Sequence, residues 1–283
     1  MSTRRDVLQM MAVVGAQVAV PAILGVNDAE AEHIQKTGAK NKVHLLRRPI
    51  QNFNVRKSEE RGTANHGWLL AKHSFSFANY RDPKHMGFRS LRVMNEDVIQ
   101  PGRGFPMHPH WDMEILTFIL EGALEHKDSI GNGSVIKPGE IQKMSAGSGI
   151  RHSEFNPSSD KPVHLLQIWL FPNKRGIKPN YSQQIIPQIS SPDPVRLIAS
   201  PNGAKGSVVL QQDARIYACK MSNSQHMRFE VKPKRHVWIQ VAKGGITVNK
   251  QVLKQGDGFS TSDTGWIFAQ ANQTTELLVF DLA

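Results

Sequence analysis

Cysteine is almost missing: Cys219 is the only one in 283 residues. A lone cysteine excludes an intrachain disulfide, and no CxxC pair or Cys/His zinc pattern exists, so any metal must sit on histidine and carboxylate. Helical periodicity is scarce along the body of the chain, which argues against a helical bundle. Long apolar runs are also missing. The longest candidate, Val7 to Leu24, is interrupted by Gln17 and Pro21 and falls short of the roughly 20 apolar residues a membrane span needs, so no stable anchor is expected. Charge is plentiful but ungathered. The net charge of +11 suggests anionic partners, yet Lys and Arg are scattered. The local clusters KPKRH (Lys232 to His236) and Lys36 to Lys57 lack the interleaved aromatics of a nucleic-acid module, so direct nucleic-acid binding is not expected.

The first 31 residues differ in kind from the rest. Arg4 and Arg5 precede the moderately apolar stretch, and Ala29-Glu30-Ala31 forms a small-x-small site, which reads as a twin-arginine-type signal peptide cleaved after Ala31. Val7 stands where that pattern prefers Phe, and Gln9 where it usually has lysine. The expectation is a periplasmic or exported protein, with the cytoplasm as the alternative.

Beyond the leader, 32–55 is polar and irregular and reads as an exposed lead-in over the first domain. From 56 to 171, short apolar runs such as LRVMNEDVI, EILTFIL and HLLQIWLF alternate with turn clusters PGRG, SIGNGS, KPGE, SAGSG and NPSSDKP. That spacing predicts an all-β barrel or sandwich. The proline-rich 172–194 reads as a linker, and 195–283 repeats the texture with GSVVL, ARIYACKM, HVWIQVAKGGITV and ELLVFDLA. Two β-barrels in tandem are expected, on a chain expected to be monomeric.

The chemistry concentrates in the first half. In HPHWDMEILTFIL, an extended strand would put His108, His110, Asp112 and Glu114 on one face, and in SAGSGIRHSEFNP, His152 and Glu154 also stand two apart. Two strands facing each other inside a barrel can converge such pairs on one ion. Imidazole and carboxylate suit iron(II), with nickel, cobalt, manganese, copper or zinc as alternatives. The carboxylate stays open on this reading. The other histidines, including His73, His126, His164 and His236, have no partner at that spacing and are read as surface or satisfied core residues. The second half has no matching row, so one ion per chain is expected.

The run Gly102-x5-His108-x-His110-x3-Glu114-x7-Gly122 resembles the first cupin motif, with seven residues before its last glycine where the general pattern has six. Gly139 to Asn156 is similar to the second, keeping His152-x3-Asn156 but with Ser145 for a proline and a longer Gly147 to His152 spacing. More specifically, NHGWLLAKHSFSFANYRDP, HPHWDMEILTFILEGALEHKDS and MSAGSGIRHSEFNPS look like the pirin family, nearest its bacterial members described as quercetin 2,3-dioxygenases. The resemblance implies a bicupin whose first barrel binds one divalent metal through His108, His110, His152 and Glu154. Glu114 sits where many other cupins place their glutamate ligand; here it and Asp112 would instead orient a histidine. The implied reaction is cleavage of a flavonol-like aromatic by dioxygen with loss of carbon monoxide, Glu154 being the general base that removes the 3-hydroxyl proton. Phe105, Met107, Trp111 and Phe155 are candidate walls for a flat substrate. The alternative implied by other pirins is a non-enzymatic metal-binding module that regulates by binding another protein.

Overall fold

The computed structural model describes residues 48–187 and 194–283; the leader 1–31 and most of the lead-in lie outside the described residues. Among the described residues the regular structure is strand, with two single-turn 3-10 helices at Ser58–Glu60 and Ala204–Gly206. The all-β expectation therefore holds, and so does the pairing of two barrels.

The first barrel closes a seven-stranded sheet over a four-stranded one. The larger sheet runs, in spatial order, Asn180–Ile185, Glu140–Ser145, Glu114–Glu121, Val163–Leu170, Leu91–Ile99, Leu69–His73 and Gly62–Asn65; the smaller runs Gly104–His110, Ile150–Phe155, Leu124–Asp128 and Gly133–Ile136. The second barrel repeats the plan, with seven strands from Asn54–Arg56 to Val208–Val209 and four from His226–Val231 to Gln251–Lys254.

Strand Glu114–Glu121 shows why these apolar runs build two layers. Its sequence EILTFILE is buried from Glu114 to Leu120, as expected of a strand with two covered faces. Alternation turns Ile115, Thr117 and Ile119 into the barrel and Leu116, Phe118 and Leu120 outward. The outward set joins Leu91, Met94 and Ile168 in one core with Ile216, Trp238, Leu278 and Phe280 of the second barrel. The barrels thus stack through the outer faces of their seven-stranded sheets. Trp238 lies 4.9 Å from Phe75, ring centre to ring centre, and Lys243 Nζ donates to the Leu120 carbonyl at 3.2 Å.

The interiors differ. That of the second barrel is filled by Met221, Phe229, Val231, Ile239, Val241, Phe259, Ile267 and Val279, leaving no place for a polar row. His236 sits at a strand start, its Nδ1 2.7 Å from Ser262 Oγ.

Two stretches read as irregular carry strands. In the expected lead-in, Ile50 is 3% exposed and belongs to the second barrel's core, Phe53 stacks on Phe259 at 5.0 Å, and Asn54–Arg56 pairs with Gly258–Thr261. The apolar residues of PIQNFNV draw this segment onto the second barrel and not over the first. Within the expected linker, Asn180–Ile185 pairs with Glu140–Ser145 as the edge of the first barrel's larger sheet.

Candidate metal centre

The predicted donors all stand on the four-stranded sheet of the first barrel. Its strand Ile150–Phe155 lies between Gly104–His110 and Leu124–Asp128, and the register sets His152 opposite both His108 and Asp128, and Glu154 opposite His126. Opposed residues share a face, so three strands each turn an i, i+2 pair into the barrel: His108 and His110, His126 and Asp128, His152 and Glu154. The register between Gly104–His110 and Ile150–Phe155 shifts by a bulge between His152 and Glu154. Gly104 permits the close approach there: a Cβ on it would lie 2.1 Å from the Glu154 carbonyl oxygen.

One ring nitrogen from each of His108, His110 and His152 lies within 4.8 Å of the other two. His108 Nδ1 stands 2.8 Å from the Pro106 carbonyl; it donates there, which leaves Nε2 with a lone pair. Nε2 of His110 and Nε2 of His152 are buried without any hydrogen-bond partner. Burial, reinforced by the neighbouring imidazoles, pushes His110 down to about 4 and His152 down to about 3. Both rings are therefore neutral at neutral pH. Buried polar atoms seldom go unpartnered, and uncharged imidazole nitrogens that converge on one space are what a divalent transition metal requires. The residues fit such an ion.

Glu154 is 3% exposed and groups with His152 and His126 within the same 4.8 Å. Its carboxylate accepts from Gln167 Nε2 at 3.2 and 3.1 Å and from Thr117 Oγ1 at 3.3 Å. Thr117 and Gln167 come from the seven-stranded sheet, so one sheet carries the donors while the other orients the carboxylate.

Asp112 and Glu114 do not continue the histidine row. Asp112 adopts a left-handed φ of 47°, its N–H donates to Gly147 O at 3.0 Å, and its Oδ1 accepts from Gly176 N at 2.7 Å. This turn ends the strand at His110 and starts the next one, in the other sheet, at Glu114. Glu114 consequently faces the seam between the barrels. There it accepts from Gln211 N at 3.1 Å and bonds Ser145, while burial raises its pKa. Its neighbour Lys143 is 2% exposed and donates to Ser145 Oγ at 2.9 Å. The role expected for Asp112 and Glu114, orienting a histidine, passes to other residues.

The candidate walls fare unevenly. Phe105 packs edge-on against Trp68 at 5.3 Å and lies 6.3 Å from the His108 ring, and Phe155 is half-buried. Trp111 is 62% exposed and Met107 44%; the Trp111 indole covers Gly149, where a Cβ would meet its Nε1 at 2.8 Å. The ring standing against the site is Trp169, 4.8 Å from His110 and nearly perpendicular to it. A surface depression of about 400 Å³, lined by Arg61, Lys72, Glu96 and Lys254, lies elsewhere and includes none of the donors.

Sequence reasoning passed over Thr117, Gln167, Trp169, His126 and Asp128. A signal is present for the last four. Leu165, Gln167 and Trp169 alternate along one face of VHLLQIWL, and His126 and Asp128 repeat in LEHKD the same two-residue spacing as the other donor pairs.

Comparison with known proteins extends this picture. Residues 54–170 match the family model described as Pirin, and residues 197–282 match the Quercetinase C-terminal cupin domain. A protein of Escherichia coli (strain K12) named quercetin 2,3-dioxygenase is 47% identical over 228 residues, covering 81% of this chain and 97% of that one. A pirin-like protein of Caulobacter vibrioides is 37% identical over 223 residues, covering 78% and 96%. Among solved structures, the bacterial pirin YhhW of Escherichia coli in complex with nickel(II) superposes with a TM-score of 0.78 at 46% identity, covering 82% of this chain and 99% of that one.

Proposed function

The chain belongs to the pirin family, and on that premise we propose that it is a metal-dependent dioxygenase that opens flavonol-like aromatic rings with dioxygen, releasing carbon monoxide. One observation carries the reading: two buried, unpartnered imidazole nitrogens, on His110 and His152, converge with a third on His108 beside a carboxylate aligned by Gln167 and Thr117. His108, His110, His152 and Glu154 would hold the ion. A bound divalent metal would supply Lewis acidity toward the substrate oxygens. Iron(II) is the expected resident; nickel(II) is the ion bound by the relative.

The chain's own contribution is positioning and proton transfer. Glu154 takes the flavonol hydroxyl proton on a carboxylate oxygen. Gln167 donates to both of its oxygens and Thr117 to one, which fixes the orientation of the carboxylate beside His152. The edge-on Trp169 ring against His110 excludes water from that imidazole. The non-enzymatic alternative has no feature of its own among the described residues.

The test is metal analysis of the purified protein followed by aerobic incubation with quercetin. About one ion per chain, bleaching of the flavonol absorption band and carbon monoxide release are expected. A metal-loaded protein that leaves quercetin intact overturns the enzymatic reading.

A further inference from the structure

His126 and Asp128 have no part in the proton transfer just described, yet both side chains are completely buried on the strand next to His152. Asp128 is saturated with donors: Oδ1 accepts from Ile130 N at 3.0 Å and Asn132 N at 2.9 Å, and Oδ2 from Asn132 Nδ2 at 2.8 Å. Its remaining neighbour, His126 Nε2, lies 3.3 Å from Oδ2. A carboxylate accepts only, so His126 must carry its proton on Nε2. With His126 neutral, as the relay requires, Nδ1 is then a bare acceptor. It faces His152 Nδ1 at 3.5 Å, and two ring nitrogens can share a hydrogen only if one of them holds it, so His152 must be protonated on Nδ1. That leaves His152 Nε2, the buried atom without a partner, as a lone pair turned toward His108 and His110.

We propose that Asp128 and His126 form a tautomer relay which fixes His152 as the Nδ1–H form and so reserves its Nε2 for the metal. His126 and Asp128 are positioning residues, acting through His152. Free histidine favours the opposite tautomer, so the relay imposes a preference that the ring does not have by itself. Tyr181 packs against the His126 ring, its centre 4.8 Å away, and restricts its rotation. Partners that set a ligand's tautomer typically contribute 10 to 100-fold in metal affinity.

The proposal rests on the metal reading above, and its test separates the two by working first on metal-free protein. Long-range proton–nitrogen NMR of the histidine rings is expected to show His152 protonated on Nδ1 and His126 on Nε2. Asp128→Asn keeps an oxygen for the Ile130 and Asn132 backbone amides but turns an N–H toward His126 and toward the Asn132 side chain, whose amide can flip to accept it, so both rings are expected to switch tautomer. Nickel(II) affinity, measured by competition titration, should then fall roughly 10 to 100-fold with the fold intact by circular dichroism. His126→Phe preserves the packing on Tyr181; X-ray absorption of this variant loaded with nickel(II) is expected to count as many imidazole ligands as the wild type. A His152 protonated on Nε2 in the wild type, an unchanged nickel(II) affinity in Asp128→Asn, or one imidazole fewer in His126→Phe overturns the relay.

Discussion

Two glutamates that look interchangeable in the sequence have different surroundings, and their variants should separate. Glu154→Gln keeps the shape and the three histidines, so metal affinity is expected to fall only about 10 to 100-fold. An amide oxygen is not basic near neutral pH, so quercetin turnover should fall by roughly 10² or more. Glu114→Gln acts at the seam, where Glu114 offsets the buried Lys143 charge; thermal stability should drop by about 1–3 kcal/mol with turnover little changed. A dead Glu114→Gln enzyme alongside an active Glu154→Gln one reverses the assignment. Asp97 supplies a pH test. It is buried, its Oδ1 has no partner, and burial, with the charges of Glu154 and Glu96, pushes its pKa up from 3.8 to about 8. Between those values the folded chain holds a proton that the unfolded chain has lost, so Asp97 lowers stability as pH rises through this window. In the metal-free protein, Asp97→Asn should melt higher than wild type at pH 8, with the gap closing near pH 4. Equal melting curves at pH 8 would remove Asp97 as a strained acid.

Strands explain what was legible beforehand. His108, His110 and His152 could be read because a two-residue spacing on a strand survives any detail of the fold. The carboxylate could not be chosen from spacing alone, because Asp112, in a left-handed conformation, breaks the row between His110 and Glu114, and no residue pattern announces that turn. The third donor strand, LEHKD, was written in the same spacing but lacked a cupin signature to draw the eye. The edge strand Asn180–Ile185 hid in a proline-rich passage, since its pairing with Glu140–Ser145 depends on a partner distant in the chain. At this scale Gly104 is the informative position. Gly104→Ala would press a methyl against the Glu154 carbonyl and the Phe155 Cα, so the strand bearing Glu154 must shift, and both melting temperature and nickel(II) affinity should fall. Gly133→Ala, whose nearest contact would be 3.9 Å, should change neither. Unaltered metal binding in Gly104→Ala would show that the bulge does not position the carboxylate.

For the whole molecule, export remains a proposal carried by residues 1–31, outside the described residues. Arg4→Lys together with Arg5→Lys is expected to retain the chain in the cytoplasm, read by fractionation and by the mass of the mature N-terminus, which should begin after Ala31. Full-length chain recovered from membranes would identify an anchor instead. The segment leading into the first barrel has a further consequence, because it is bound to the second one: Gln51 N donates to Asp263 Oδ2 across 212 residues, and Asn54–Arg56 extends the sheet at Gly258–Thr261. A ribosome adding roughly 5–20 residues per second delivers these two partners about 10–40 s apart. Throughout that interval Asn54–Arg56 lacks its partner strand, and once the first barrel's strands are made, its outward face, with Leu116, Phe118 and Leu120, stays uncovered until the second barrel forms. Vectorial synthesis therefore leaves one of the first strands made to be fastened by Gly258–Thr261, a strand made near the end.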